Sequence, residues 1–172
     1  GILDIVWEHL LPAMEEGSLP PDETSLEKLN QKLDQLAISY VEGEQNSPLA
    51  SEITGLTFTL EENDRAIQSI SFDFEGPASE ISITTDHGIQ SFKAGYKGME
   101  KGTFSNPVLV SDKVAVNGAW EAEDIYSVNL IYYETPESVR FTFKFEGDKL
   151  LWDTERRASF GPRHPAQLKA TI

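Results

Sequence analysis

Ser25-Leu26-Glu27-Lys28 has the Ser-x-x-Lys spacing that can set a nucleophilic serine one helical turn from a lysine base. That chemistry needs further partners of the Tyr-x-Asn and Lys-Thr-Gly kind to relay the proton, and neither occurs in the chain. With Thr24 in front, the same residues read as a capping box, Thr24-Ser25-Leu26-Glu27, at a helix start. Cysteine is absent, which excludes disulfides, thiolate metal sites and cysteine nucleophiles. The three histidines, His9, His87 and His164, fall in a helix, a turn and a tail, with no spacing that brings two onto one metal. Glu61-Glu62-Asn63-Asp64 and Glu121-Ala122-Glu123-Asp124 are acidic clusters in turns and do not match a calcium loop. Arg156-Arg157 and Arg163-His164 form one basic spot in an acidic chain, suited to balancing nearby carboxylates or to contacting a partner or an anionic group. Trp120, Tyr126, Tyr132, Trp152 and Phe160 fill a core, or line a cavity if their strands close on one another. Trp120, Tyr132, Trp152, Arg156, Arg157 and Arg163 are therefore the candidate ligand or partner surface. No catalytic, cofactor or metal constellation emerges.

The elements that must position these side chains follow from the period of the apolar residues. Val114 to Phe160 is the most legible part. Val114, Val116, Gly118 and Trp120, then Tyr126, Val128, Leu130 and Tyr132, then Val139, Phe141, Phe143 and Phe145, then Leu150 and Trp152 each alternate as half-buried strands do. Short acidic turns separate them. Upstream, Leu56–Leu60, Ile70–Phe74, Ile81–Ile83 and Ile89–Tyr96 read as further strands, 97–106 as a loop, and Val108–Val110 as a short strand. The total of eight or nine close-spaced strands predicts an antiparallel meander, closed as a lipocalin-like barrel or folded as a two-sheet sandwich. The class is mainly β with N-terminal helices (α+β).

Ahead of the meander, Ile2 to Met14 has helical period and is apolar on two faces. Residues 24 to about 39 form an amphipathic helix with the stripe Leu26, Leu29, Leu33, Leu36 and Ala37, which should pack on something. Ile2, Val6, Trp7 and Leu10 are the candidate docking helix. The first residue is Gly1, not Met, and an uncapped apolar helix begins at once, so a fragment of something larger is expected. The reading divides the chain into a helical lead-in, 1–50, and a β domain, 51–172.

With 172 residues the chain is long enough to bury a sizeable core. Its 14 basic against 29 acidic residues give a net charge of −15, which repels phosphate backbones and anionic lipid, so nucleic acid is not expected as a partner. No apolar run approaches the roughly 20 residues that span a bilayer. Compartment is not readable, because a chain without cysteine suits either redox environment.

Two resemblances attach to short motifs. Gly118-Ala119-Trp120 resembles the Gly-x-Trp of lipocalins, although there it lies on the first barrel strand. Val6-Trp7-Glu8-His9-Leu10-Leu11-Pro12-Ala13-Met14 resembles the segment that closes the catalytic domain of β-lactamase-related serine hydrolases of the class C and penicillin-binding-protein-like kind. Leu49–Gly55, Leu60–Asn63, Gly118–Trp120, Tyr126–Thr135, Phe145–Asp148 and Ser159–Pro162 resemble the β-rich C-terminal extension of that group. The resemblance implies a noncatalytic accessory domain that docks on a parent catalytic domain or a homo-oligomer partner. It implies a periplasmic or extracellular location if the parent is exported. The alternative is a small barrel that binds an apolar or peptide-like ligand. On neither reading is the chain itself an enzyme, and neither requires a cofactor.

Overall fold

The computed structural model describes residues 1–14, 16–18, 20–105, 111–158 and 161–172. They form two compact units, Gly1–Ile38 and Ser39–Ile172. In the first unit, the apolar helical pattern becomes a short helix α1 (Ile2–Ile5), a wide π turn (Val6–Leu10) and a 3-10 turn (Leu11–Ala13). Pro12 lies within that last turn, where its missing N–H prevents an ordinary α-helical turn from continuing. Helix α2 (Glu23–Asp34) starts two residues earlier than the capping box predicts. Asp22 is the cap, with its carboxylate accepting from the Ser25 amide at 3.0 Å and from the Ser25 hydroxyl at 2.7 Å. A carboxylate beside the exposed amides of a helix start serves better than the Thr24 hydroxyl two positions further on, because it also meets the positive end of the helix dipole. The helix ends at Asp34, short of the expected residue 39. Its stripe is half exposed within this unit, Leu26, Leu29 and Leu33 included.

The second unit is the β-barrel. Its strands are β1 (Thr57–Leu60), β2 (Ile67–Asp73), β3 (Ala78–Thr85), β4 (Gly88–Gly95), β5 (Glu100–Thr103), β6 (Lys113–Ala122), β7 (Ile125–Tyr132), β8 (Ser138–Glu146), β9 (Lys149–Arg157) and β10 (Leu168–Thr171). They run β4-β3-β2-β1-β10-β9-β8-β7-β6-β5, and a further β4–β6 pairing closes nine of them into a ring. Closure decides between the two architectures left open by the sequence: this is a barrel, not a sandwich. The closing contact is slight, a single parallel pair between Gly95 and Asn117, whereas β8 and β9 pair over their full length.

The period-two alternation maps directly onto the inside and outside of the ring. Phe58, Ile70, Phe72, Ile81, Val128 and Phe143 are all buried. At one end the inward rings touch in series. Phe74 meets Trp120 and Tyr126 at centroid distances of 5.0 and 4.9 Å, Trp120 meets Phe145 at 5.8 Å, and Phe145 meets Phe72 at 5.3 Å. Tyr126 reaches this end only because residue 118 is glycine: a Cβ there would collide with the Tyr126 hydroxyl. That hydroxyl hydrogen-bonds the buried Ser79 hydroxyl at 2.5 Å.

Strand β6 is buried on both faces, which a simple half-buried strand is not. Residues 39–47 strap its outer side and its free edge. Val41 donates to the Asn117 amide oxygen at 3.3 Å, and Asn129 donates to the Ser39 carbonyl at 3.2 Å. Glu44 exchanges two backbone hydrogen bonds with Trp120, 2.8 and 2.9 Å long. Gly43 lies so close to the Trp120 carbonyl that a side chain would push the strap away.

Three elements depart from the sequence expectation. The loop expected over 97–106 contains β5, whose residues Glu100-Lys101-Gly102-Thr103 are all exposed and carry no alternation to reveal a strand. The last strand, β10, has only Leu168 and Ala170 facing inward, too short a pattern to stand out. A four-residue helix α3 (Ala50–Ile53) precedes β1, at the start of the expected β domain 51–172. The predicted strand Val108–Val110 lies outside the described residues.

Candidate functional site

At the end of the barrel opposite the aromatic cluster the interior is hollow. The cavity has a volume of about 460 Å3. Its walls are inward residues near the strand ends, such as Ile83, Leu130, Val139 and Phe141, with Trp152 deeper along β9. Exposed residues of the connecting turns, Asp64, Ala66, Asp86, His87 and Ser105, rim it, so the hollow opens to solvent at this end.

Two arginines face the same space, Arg65 and Arg156. Arg65 sits in the β1–β2 connection, which Asn63 builds. The Asn63 side-chain oxygen accepts from the Arg65 and Ile67 amides at 3.1 and 3.2 Å, and its amide group donates to the Glu61 and Ile67 carbonyls, both at 2.8 Å. From this turn the Arg65 guanidinium crosses to β9 and donates to the Thr154 hydroxyl at 2.9 Å and to the Ala166 carbonyl at 3.3 Å. Arg156 projects from β9, two residues beyond Thr154 on the same face.

The surroundings of these two cations are unusual in so acidic a chain. Arg140 pairs with Glu121 at 2.7 Å, and Arg157 and Arg163 both pair with Glu155, at 3.6 and 2.6 Å. Arg65 and Arg156 have no carboxylate within 4 Å among the described residues. Burial, and next the charge of Arg156, hold the Arg65 guanidinium below its usual range, against a smaller opposing pull from Asp64. Two half-buried like charges thus face one cavity, with no carboxylate within 4 Å of either among the described residues and with Asp64 and Asp86 on its rim.

The backbone beside both arginines is strained. Ala66 and Ala158 have φ of 52° and 53°, the two non-glycine residues with positive φ among those described. Each is a left-handed conformation that costs an L-residue roughly 1 kcal/mol or more, and such strain concentrates at binding sites.

The predicted surface residues separate into three groups. Tyr132, Trp152 and Arg156 line the cavity. Trp120 is buried in the aromatic cluster at the far end, with its indole N–H unpartnered among the described residues. Arg157 and Arg163 face outward to Glu155. Phe160 and the Ser159-Phe160 motif lie outside the described residues. In the first unit Ile2, Trp7 and Leu10 are largely exposed and Val6 is half-buried. Arg65 was missed, because a lone arginine in an acidic turn looks like a solvated loop residue. The available signal was Asn63-Asp64-Arg65, a turn built by an asparagine directly before an inward strand. Among the described residues no group of three or more His, Asp or Glu is placed to hold a metal ion.

No family model and no curated protein matches the chain. Solved structures do. The fatty-acid-binding protein of Drosophila melanogaster brain covers 69% of this chain and 99% of its own length, with a TM-score of 0.53 at 6% identity. A Schistosoma mansoni fatty-acid-binding protein in complex with arachidonic acid covers 72% and 98%, with a TM-score of 0.55 at 9% identity. As-p18, an extracellular fatty-acid-binding protein, covers 74% and 100%, with a TM-score of 0.54 at 11% identity. The barrel has the fold of the fatty-acid-binding proteins. This overturns the resemblance to the C-terminal extension of β-lactamase-related hydrolases. Phe145-Glu146-Gly147-Asp148, one of the motifs behind that resemblance, is the end of β8 and the tight turn into β9. Any antiparallel meander needs such pieces, so they carry no family information.

Proposed function

We propose that the barrel is a binding protein for a small apolar ligand that carries an anionic group. The apolar body lies in the cavity, and the anion sits between Arg65 and Arg156. The observation that carries this reading is the pair of guanidiniums facing an apolar hollow without a carboxylate partner among the described residues. A half-buried like-charge pair is unfavourable, and an oxyanion between the two groups turns that repulsion into attraction. The fold supports the reading, since small barrels of this size enclose single ligands. The arachidonic acid bound by the similar Schistosoma mansoni barrel also joins an apolar chain to a carboxylate.

The test is displacement of the uncharged fluorophore Nile red by decanoate and by decanol, on the native chain and on Arg65→Gln plus Arg156→Gln. The expected result is saturable displacement by decanoate that the double variant loses, with decanol little changed. Equal displacement by both compounds in both proteins would overturn the reading.

A further inference from the structure

The geometry points to a limit on ligand length: the site takes an oxyanion on a compact apolar body no longer than about ten carbon atoms. This rests on the proposed binding of an anionic apolar ligand and adds its size class. The depth of the hollow follows from the strand registers. On β7 the cavity is lined by Leu130 and Tyr132 but not by Val128, the next inward residue. On β8 it is lined by Val139 and Phe141 but not Phe143. On β9 it reaches furthest, from Arg156 through Thr154 to Trp152, and stops before Leu150. From Arg156 to Trp152 is four residues, about 13 Å at the rise of an extended strand. An extended hydrocarbon advances roughly 1.25 Å per carbon, the zigzag projection of a 1.5 Å bond, so about ten carbons fill that depth.

The floor is solid and aromatic. Phe141 meets Trp152 edge to face at 5.2 Å and 88°, and Phe143 meets Trp152 at 5.3 Å. Behind them Phe143 packs on Phe72 at 5.0 Å, which continues into the cluster around Phe145 and Trp120. A longer chain cannot extend further along the strands and must fold back within the hollow, displace interlocked rings or leave its tail in water. The same floor offers ring faces and edges to an aromatic ligand body. Medium-chain carboxylates and aryl carboxylates share this chemistry.

The test is calorimetric titration of the full chain with the even-numbered acids from hexanoate to hexadecanoate, and with 2-naphthoate. Affinity should rise about fourfold per methylene up to roughly ten carbons and then stop rising, as expected when each buried methylene contributes and later ones cannot be buried. Naphthoate should bind within about tenfold of decanoate. Phe141→Leu opens the floor and should move the break to longer chains; Trp152→Phe tests the same floor with less loss of packing. A steady rise to hexadecanoate in the native chain would overturn the length limit while leaving the anion site intact. Absence of saturable binding by every acid would instead overturn the binding reading on which the limit rests.

Discussion

Removing Arg156 should make the empty barrel more stable and its ligand complex weaker. The two effects have one cause. Arg156 has no carboxylate within 4 Å among the described residues, and its charge presses on the half-buried Arg65. Replacing it with glutamine removes that repulsion and leaves the backbone hydrogen bond from Arg156 to the Arg163 carbonyl in place. Solvent screening at this half-exposed site keeps the gain small, about 0.5 kcal/mol, which for a chain of this size raises Tm by about 1–2 °C. The complex loses one charge-assisted hydrogen bond to the ligand anion, worth about 1.5–3 kcal/mol, or roughly 10- to 150-fold in Kd. Scanning calorimetry of the free protein and titration with decanoate measure the two halves separately. Decanol supplies the control, since it has no anion to lose. A fall in Tm, or an equal loss of affinity for decanoate and decanol, would refute the reasoning, because either would make Arg156 a structural residue.

Other consequences are open to the same kind of measurement. Ala66→Gly and Ala158→Gly relieve left-handed strain at a smaller cost in unfolded-chain entropy, so each should gain about 0.5–1 kcal/mol in urea unfolding. Gly43→Ala should lose the two backbone hydrogen bonds between Glu44 and Trp120, a cost of about 1–3 kcal/mol, and should speed amide exchange at Glu44 and Trp120. Burial tends to raise the Glu121 carboxyl, but hydrogen bonds from Ser127 and Arg140 outweigh it and hold the group below its usual range. Its contribution to stability is therefore present above the unfolded carboxylate pKa and lost as pH falls through the lower folded value. Acid titration of Glu121→Gln should show a shallower loss of stability over that window than the native chain. Burial, and next the charge of Asp73, push the Tyr96 hydroxyl up to about 12, so its stabilisation is complete below pH 10 and lost as pH rises to 12. Tyr96→Phe should flatten that alkaline decline.

Much of the barrel was legible because its inward residues are large and alternate strictly. Val139, Phe141, Phe143 and Phe145 specify a strand, a face and a register by themselves. The elements that escaped, β5 and β10, are short and contribute few or no side chains to the core, so period carries almost no signal there. The aromatic residues announced an interior but not where it is filled. Trp120 and Trp152 alternate alike in the sequence and stand in one register row through Tyr126 and Phe143, yet one ends in the aromatic cluster and the other lines the cavity, because the tilt of strands in a closed barrel carries such a row from one end toward the other. Arg156 was legible as part of a basic spot. Its closeness to Arg65 was not, since 91 residues separate them and only the pairing of β1 with β10 brings their strands together.

The central claim, an anion between Arg65 and Arg156 with its apolar body in the hollow, is tested most directly by a crystal structure of the full chain grown with decanoate. The account predicts density for the carboxylate within hydrogen-bond distance of both guanidiniums and an acyl chain ending against Trp152 and Phe141. Decanoate bound only on the outer surface, or inside with its carboxylate remote from both arginines, would contradict it.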